Sequence, residues 1–437
     1  MLKRVFWFLL CLASTTDSIM AGIHRAPVIV QADSIKQVSR YPLKFYRVYR
    51  VNATGEAVQI PFQIDEVNEF GDYILDQGKN VNKKTSNGIF DLNDELSFMG
   101  DDVGPVGNPT KWPDDRKPNL VYELRLQYGK DKEKVGAVYI GLFFRAPPEP
   151  MSQKYVIFDL NADVIKTARF EYHFDKKNYL VVKKIDMVRP REGSEPKTIV
   201  DSSTFFMNAD LKYFLTVSAN HRSVNSQLEA FKVGPVRTIV RVNFVYSFLS
   251  LKFEVGMYTE VSFFSNSVIL PAVIYNPIDG IRRLNDGSGF YYGFALKESP
   301  ETYQFKTNME KHGSEKNALM KLIDQTKLQS MYWASLIAED HMIYLEMRPS
   351  KQMLKDENVP VYYTDKLKSS DMSSRNNDDI SPLGKSPVNL ALYFDLKKFS
   401  KGDHLMSFQL FFENKNDPDV IDSFRGLSRW RSSLKRL

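Results

Sequence analysis

Three groups of residues in this sequence have the types and spacing to do chemistry. The first is Asn220-His221-Arg222. A histidine can move a proton near neutral pH. An amide and a guanidinium beside it can hold the carboxylate of an acidic sugar while a neighbouring carbon loses its proton. That set suits a polysaccharide lyase or a sugar epimerase, the two activities expected if the protein is an enzyme. The second group is Tyr275, Asn276, Asp279, Arg282 and Arg283, followed by Tyr291 and Tyr292. Aromatic faces stack on sugar rings and planar polar groups bind hydroxyls, so this is a candidate carbohydrate-binding surface. The third is acidic. Asp91, Asn93 and Glu95 place oxygen ligands at alternate positions, a pattern compatible with Ca2+, which takes six to eight oxygens. The EF-hand loop is not matched, because Leu96 stands where its glycine belongs and Asp102 where its glutamate belongs. Asp65-Glu66 and Asp101-Asp102 are further acidic pairs nearby.

Other chemistries are excluded by what is missing. No HExxH, GxSxG, P-loop or GxGxxG pattern occurs in the chain. One cysteine in 437 residues leaves no disulfide framework and no cysteine-based zinc site. A net charge of +6 over this length gives no electrostatic case for nucleic acid.

The elements that must position these groups are strands. Aromatic residues make up 13% of the chain, including 30 Phe and 22 Tyr, and such side chains favour a half-buried pleated surface. Alternation of period two dominates. Between Lys44 and Ile64 two strands flank Asn52-Ala53-Thr54-Gly55. In the second strand Val58, Ile60, Phe62 and Ile64 share one face, and Gln59, Gln63 and Asp65 share the other, which is expected to be wet. Tyr122–Tyr128 and Val135–Phe144 form a second pair. Tyr155–Leu160, Phe170–Phe174 and Tyr179–Ile185 are shorter strands, the last two joined by a turn at Asp175-Lys176-Lys177-Asn178. The longest alternations run from Val236 to Tyr246 and from Leu251 to Val261, long enough to bend and stack in two layers. Helical spacing is confined to Ser314–Ser330 and Asp417–Leu434. The second has its acids early and its bases late, as a helix dipole prefers. Polar stretches 76–88 and 363–386 exceed an ordinary connection and are expected to be lids or disorder.

Residues 1–21 have the form of a secretory signal. Lys3 and Arg4 precede the apolar run Val5–Ala13, which is too short to span a bilayer, and Ala21 is the expected last residue removed. Cys11 leaves with it. No later segment is apolar for the ~18 residues a transmembrane helix needs. An outer-membrane barrel is a poor match, given the charges along the strands and the lack of a terminal aromatic. The expected location is the periplasm or outside the cell. The expected domains are a signal at 1–21, an N-terminal β domain at 22–146, a large sandwich at 151–415 after the Pro147-Pro148-Pro150 break, and a basic helix at 416–437.

Gly234-Pro235-Val236-Arg237, with the long strands ending in Phe263-Phe264-Ser265-Asn266, resembles the β super-sandwich of galactose-mutarotase-like and polysaccharide-lyase-associated domains over residues 150–300. Pro61-Phe62-Gln63-Ile64-Asp65-Glu66 and Asp91-Leu92-Asn93-Asp94-Glu95-Leu96-Ser97-Phe98-Met99 are similar to segments of exported bacterial proteins of unassigned role. The resemblance implies a mainly β, antiparallel β-sandwich protein that binds or processes a carbohydrate polymer. The rival expectation is a non-catalytic structural or assembly protein of the envelope with a protein partner.

Overall fold

The computed structural model describes residues 25–127, 135–188, 195–212, 215–220, 224–248, 253–276, 280–286, 288–297, 303–307, 333–349, 361–364, 388–398, 401–414 and 431–437. The described chain is mainly β, in four antiparallel sheets. Its one α-helix among these residues is the single turn Gly280–Arg283. Residues 1–24, which hold the expected signal, lie outside the described residues, as do 308–332, 365–387 and 415–430.

Two nine-stranded sheets form a sandwich. One is built around the strands Thr238–Phe248 and Phe253–Phe263, paired in unbroken register from Thr238 opposite Phe263 to Phe248 opposite Phe253. The other is built around Phe170–Asp175, Asn178–Met187 and Lys197–Leu211. The two-residue alternation of each strand sends one set of side chains inward, and those sets meet. Phe170 packs on Phe412 with centroids 4.6 Å apart, Tyr172 on Phe263 at 5.0 Å, and Phe158 on Phe231 at 5.1 Å. Edge-to-face and tilted rings at these distances gain beyond simple burial. The aromatic surplus of the composition is thus spent between the sheets.

The N-terminal region builds two smaller sheets. Pro27–Gln31, Glu95–Met99 and Gln63–Asp65 make a three-stranded sheet. Arg431–Arg436, Leu120–Gln127, Val135–Leu142, Tyr46–Val51 and Ala57–Ile60 make a five-stranded one, in that order. The end of the chain therefore returns to the N-terminal sheet, with Leu434 opposite Leu124. The expected C-terminal helix is corrected there: its last residues form an edge strand. Pairing with the open edge at Leu120–Gln127 supplies backbone hydrogen bonds that a solvent-facing helix end lacks. Its earlier part, and the expected helix at 314–330, fall outside the described residues.

Two further expectations need revision. The hairpin's second strand ends at Ile60, because Pro61 has no N–H to continue the ladder. Gln63–Asp65 then joins a different sheet, and Gln63 and Asp65 are buried rather than wet. The outer face of the five-stranded sheet is also covered. Segment 104–118 lies over it, with Trp112 edge-on to Tyr49 at 5.1 Å and Gly107 N donating to Tyr139 Oη at 2.9 Å. Residues 76–88 are likewise tied down. Gln77–Gly78 is the edge strand of one large sheet, and Asn82 accepts from Leu75 N at 2.7 Å and donates to Tyr73 O at 3.0 Å.

Candidate functional site

The three sequence segments singled out by resemblance converge at one place, the seam between the three-stranded sheet and the sandwich. In the three-stranded sheet Asp65 stands directly opposite Glu95. Two like charges across a ladder repel. Arg237, which opens the strand Thr238–Phe248, reaches between them. Its Nε is 2.7 Å from Asp65 Oδ2 and its Nη2 is 2.7 Å from Glu95 Oε2. Lys232 Nζ lies 2.7 Å from Asp65 Oδ1, so two cations face two anions. Gln63 completes the lock: its amide donates to Asp65, and its Oε1 accepts from Arg237 N at 3.0 Å. Tyr73 Oη donates to Glu95 Oε2 at 2.7 Å, and its ring lies under the guanidinium at 4.8 Å. Gly234 has to be glycine for this packing, since a β-carbon there would sit 1.9 Å from Gln63 Oε1.

Electrostatics follow from that geometry. Burial pushes the Asp65 carboxyl up, but Arg237, Lys232 and the Lys232 and Gln63 hydrogen bonds overcome it and hold the group at about 2. Burial likewise disfavours the charge on Arg237, and Asp65, Tyr73 and Glu95 more than restore it. Arg237 is 0% exposed. No solute reaches this layer, so its role is to fasten the two regions together.

The layer beside it reaches solvent only at its rim, because Arg241 and Glu260 are each 8% exposed. Arg241 and Glu260 sit opposite each other on the two long strands, 2.6 Å apart at Nη2 and Oε1. The loop 66–76 docks on this pair: Tyr73 N donates to Glu260 Oε2 at 3.2 Å and Tyr73 O accepts from Arg241 Nη2 at 3.0 Å. Tyr258 is 49% exposed, with Arg241 at 5.3 Å from its ring centre and its hydroxyl donating to Asp72. Phe70, two residues before Asp72, is 81% exposed. Asn68 holds the loop's tip, its Oδ1 accepting from Phe70 N and Asp72 N at 2.9 Å each. Two exposed rings and the Asp72 carboxylate are what this region offers to solvent, and the buried Arg241–Glu260 pair anchors the loop from beneath. Sequence reading missed Phe70, Asp72, Arg241 and Tyr258. The alternation placed Arg241 and Tyr258 on the polar side of their strands, which was the available signal.

The expected site residues are dispersed. His221, Arg222 and Asp279 lie outside the described residues, and Asn220 ends the strand Leu215–Asn220. Tyr275 and Asn276 end a strand of one large sheet, whereas Tyr291 and Tyr292 belong to the other. Tyr292 points between the sheets, toward Phe294 and Phe408, where burial pushes its hydroxyl up to about 12. Arg282 and Arg283 are exposed on the single helical turn. The side chains expected for calcium are engaged separately. Asp91 accepts from Asn87, Asn93 donates its amide to Val67 O, and Glu95 accepts from Gln31, Tyr73 and Arg237. The three side chains turn to different neighbours.

Replacing Arg237 with Met should destabilise the protein by about 3–5 kcal/mol, since it leaves two opposed buried carboxylates without their cation; chemical denaturation reads this. Stability should also have a maximum in mild acid. Asp94 and Asp102 are pushed up to about 6, first by burial. Groups raised in the folded state add stability below their unfolded value of 3.8, and that contribution is lost as pH rises through 6. Asp65 is depressed, so its contribution is present above 3.8 and is lost as pH falls through about 2. The melting temperature should therefore fall on both sides of pH about 3.8, and Asp102→Asn should flatten the alkaline side.

No protein-family model matches the chain, and no curated protein matches it. Among solved structures it is similar to a glycosyl hydrolase family 38 protein from Enterococcus faecalis, with 8% identity and a TM-score of 0.46, covering 94% of this chain and 46% of that one. It is similar also to an alpha-mannosidase from Enterococcus faecalis V583, with 7% identity and a TM-score of 0.44, covering 95% of this chain and 45% of that one. The chain spans less than half the length of either protein.

Proposed function

We propose that this is an exported protein of the periplasm or cell exterior that binds a polysaccharide on the exposed rim of the seam. The observation that carries the reading is the exposure of two rings, Tyr258 on a long strand and Phe70 on the loop that docks against it through Asp72. Ring faces give sugar stacking at low entropic cost, and the Asp72 carboxylate accepts from sugar hydroxyls. Tyr258 is carried by a strand, and the loop that carries Phe70 and Asp72 is tied down at Asn68 and Tyr73, which keeps the surface preorganised. The signal-like residues 1–21 supply the route out of the cell.

A panel of neutral and acidic polysaccharides tested by affinity electrophoresis should retard the protein. Tyr258→Ala and Phe70→Ala should each weaken the interaction at least about tenfold, since a lost stacking contact of ~1.5 kcal/mol has that effect. Both side chains are exposed, so the unfolding midpoint should move little. Retardation by no polysaccharide, or full retention of binding in both variants, would sink the proposal. In fractionated cells the mature chain should be found outside the cytoplasm, with Gly22 at its N-terminus by terminal sequencing.

A further inference from the structure

On the opposite sheet a second pair of acids faces across a ladder. Glu171 stands directly opposite Asp186, and His173 follows two residues later on the same side of its strand. His173 Nε2 lies 3.1 Å from Asp186 Oδ2 and 3.5 Å from Glu171 Oε2. One donor atom from each of the three residues falls within 4.8 Å of the others. The histidine nitrogen is buried, yet it makes no well-formed hydrogen bond, because both carboxylates are near it but off line. We propose that Glu171, His173 and Asp186 form a site for a divalent transition-metal ion of the zinc class.

The spacing fits. Around Zn2+ with ligands at about 2.0–2.1 Å, neighbouring ligand atoms of a tetrahedron are roughly 3.3 Å apart, close to the two separations seen. One imidazole with two carboxylates suits Zn2+ and its neighbours better than Mg2+ or Ca2+, which prefer all-oxygen sites. The partners beyond the ligands are also placed. Thr198, next across the sheet, donates to Asp186 Oδ1 at 2.7 Å, leaving Oδ2 for the ion. The other charges facing the group are lysines. Lys166 is taken by Asp159 at 3.1 Å. Lys184 Nζ sits 2.6 Å from Asp186 Oδ2 with its side chain 41% exposed. It supplies the positive charge that the opposed acids require, and its flexible stem lets it swing into solvent when an ion takes that place. Three protein ligands leave a fourth position open to water or substrate.

Titration of chelator-treated full-length protein with zinc chloride, followed calorimetrically, should show one ion per chain at micromolar or tighter affinity. His173→Ala and Asp186→Asn should each weaken it at least tenfold, whereas Lys184→Met should tighten it. The lysine variant keeps the test decisive if either ligand variant fails to fold, because a purely structural Lys184 would give no gain in affinity. Absence of binding, binding indifferent to all three substitutions, or weaker binding in Lys184→Met would overturn the assignment.

Discussion

The buried guanidinium of Arg237 is the interaction on which the rest of this structure depends. Its sheet register puts Asp65 and Glu95 face to face, an arrangement that is unfavourable until a cation lies between them. Taking that cation out of water carries a desolvation cost that only good geometry repays. Here the geometry is good: two charge-assisted bonds of 2.7 Å, a ring beneath the guanidinium and a second cation, Lys232, to balance the charge. The lock is specific because neither side is satisfied alone. The three-stranded sheet without the sandwich holds two opposed acids. The turn before Thr238 without that sheet holds a buried arginine.

This constraint decides where the exposed rim can be. Tyr73 belongs to both layers: its hydroxyl and ring serve Arg237, and its backbone serves Arg241 and Glu260. Fixing Tyr73 fixes the loop before it, and so holds Asp72 against Tyr258. Polar chemistry at the surface is thereby held by polar chemistry in the interior, without help from the aromatic core between the sheets.

The sheets themselves were legible in the sequence, because one buried face per strand writes itself as alternation. The long pair around Thr238–Phe248 and Phe253–Phe263 follows that rule, and so does the turn between Asp175 and Asn178. The rule failed where a polar face is buried. Gln63 and Asp65 have the composition of a wet face, and only partners some 170 residues away, Arg237 foremost, make their burial tolerable. Periodicity carries no information about such distant partners. The same limit explains the end of the chain. Arg431–Arg436 has no strong pattern of its own, and its strand exists because Leu120–Gln127 offers it an edge. For the site, clustering in sequence was a poor guide in the 275–292 region, since neighbouring strands send successive residues to different sheets: Tyr292 enters the core although Tyr275 belongs to the facing layer.

Opposed acids recur in this fold, and their settings differ in one respect that separates structure from chemistry. Asp65 and Glu95 are sealed, and a side-chain cation from the chain itself fills the gap permanently. Glu171 and Asp186 lie on the outward side of their sheet, where Lys184 is bound to one of the two and is itself partly in solvent. A guanidinium with no exposure cannot be exchanged, so the first pair can only hold parts together. A half-exposed ammonium can leave, so the second pair can accept a different cation while the lysine is rehydrated at little cost. The imidazole placed beside that second pair, with neither carboxylate well aligned to it, has no counterpart in the first. It is the feature that an exchangeable site requires and a permanent lock does not.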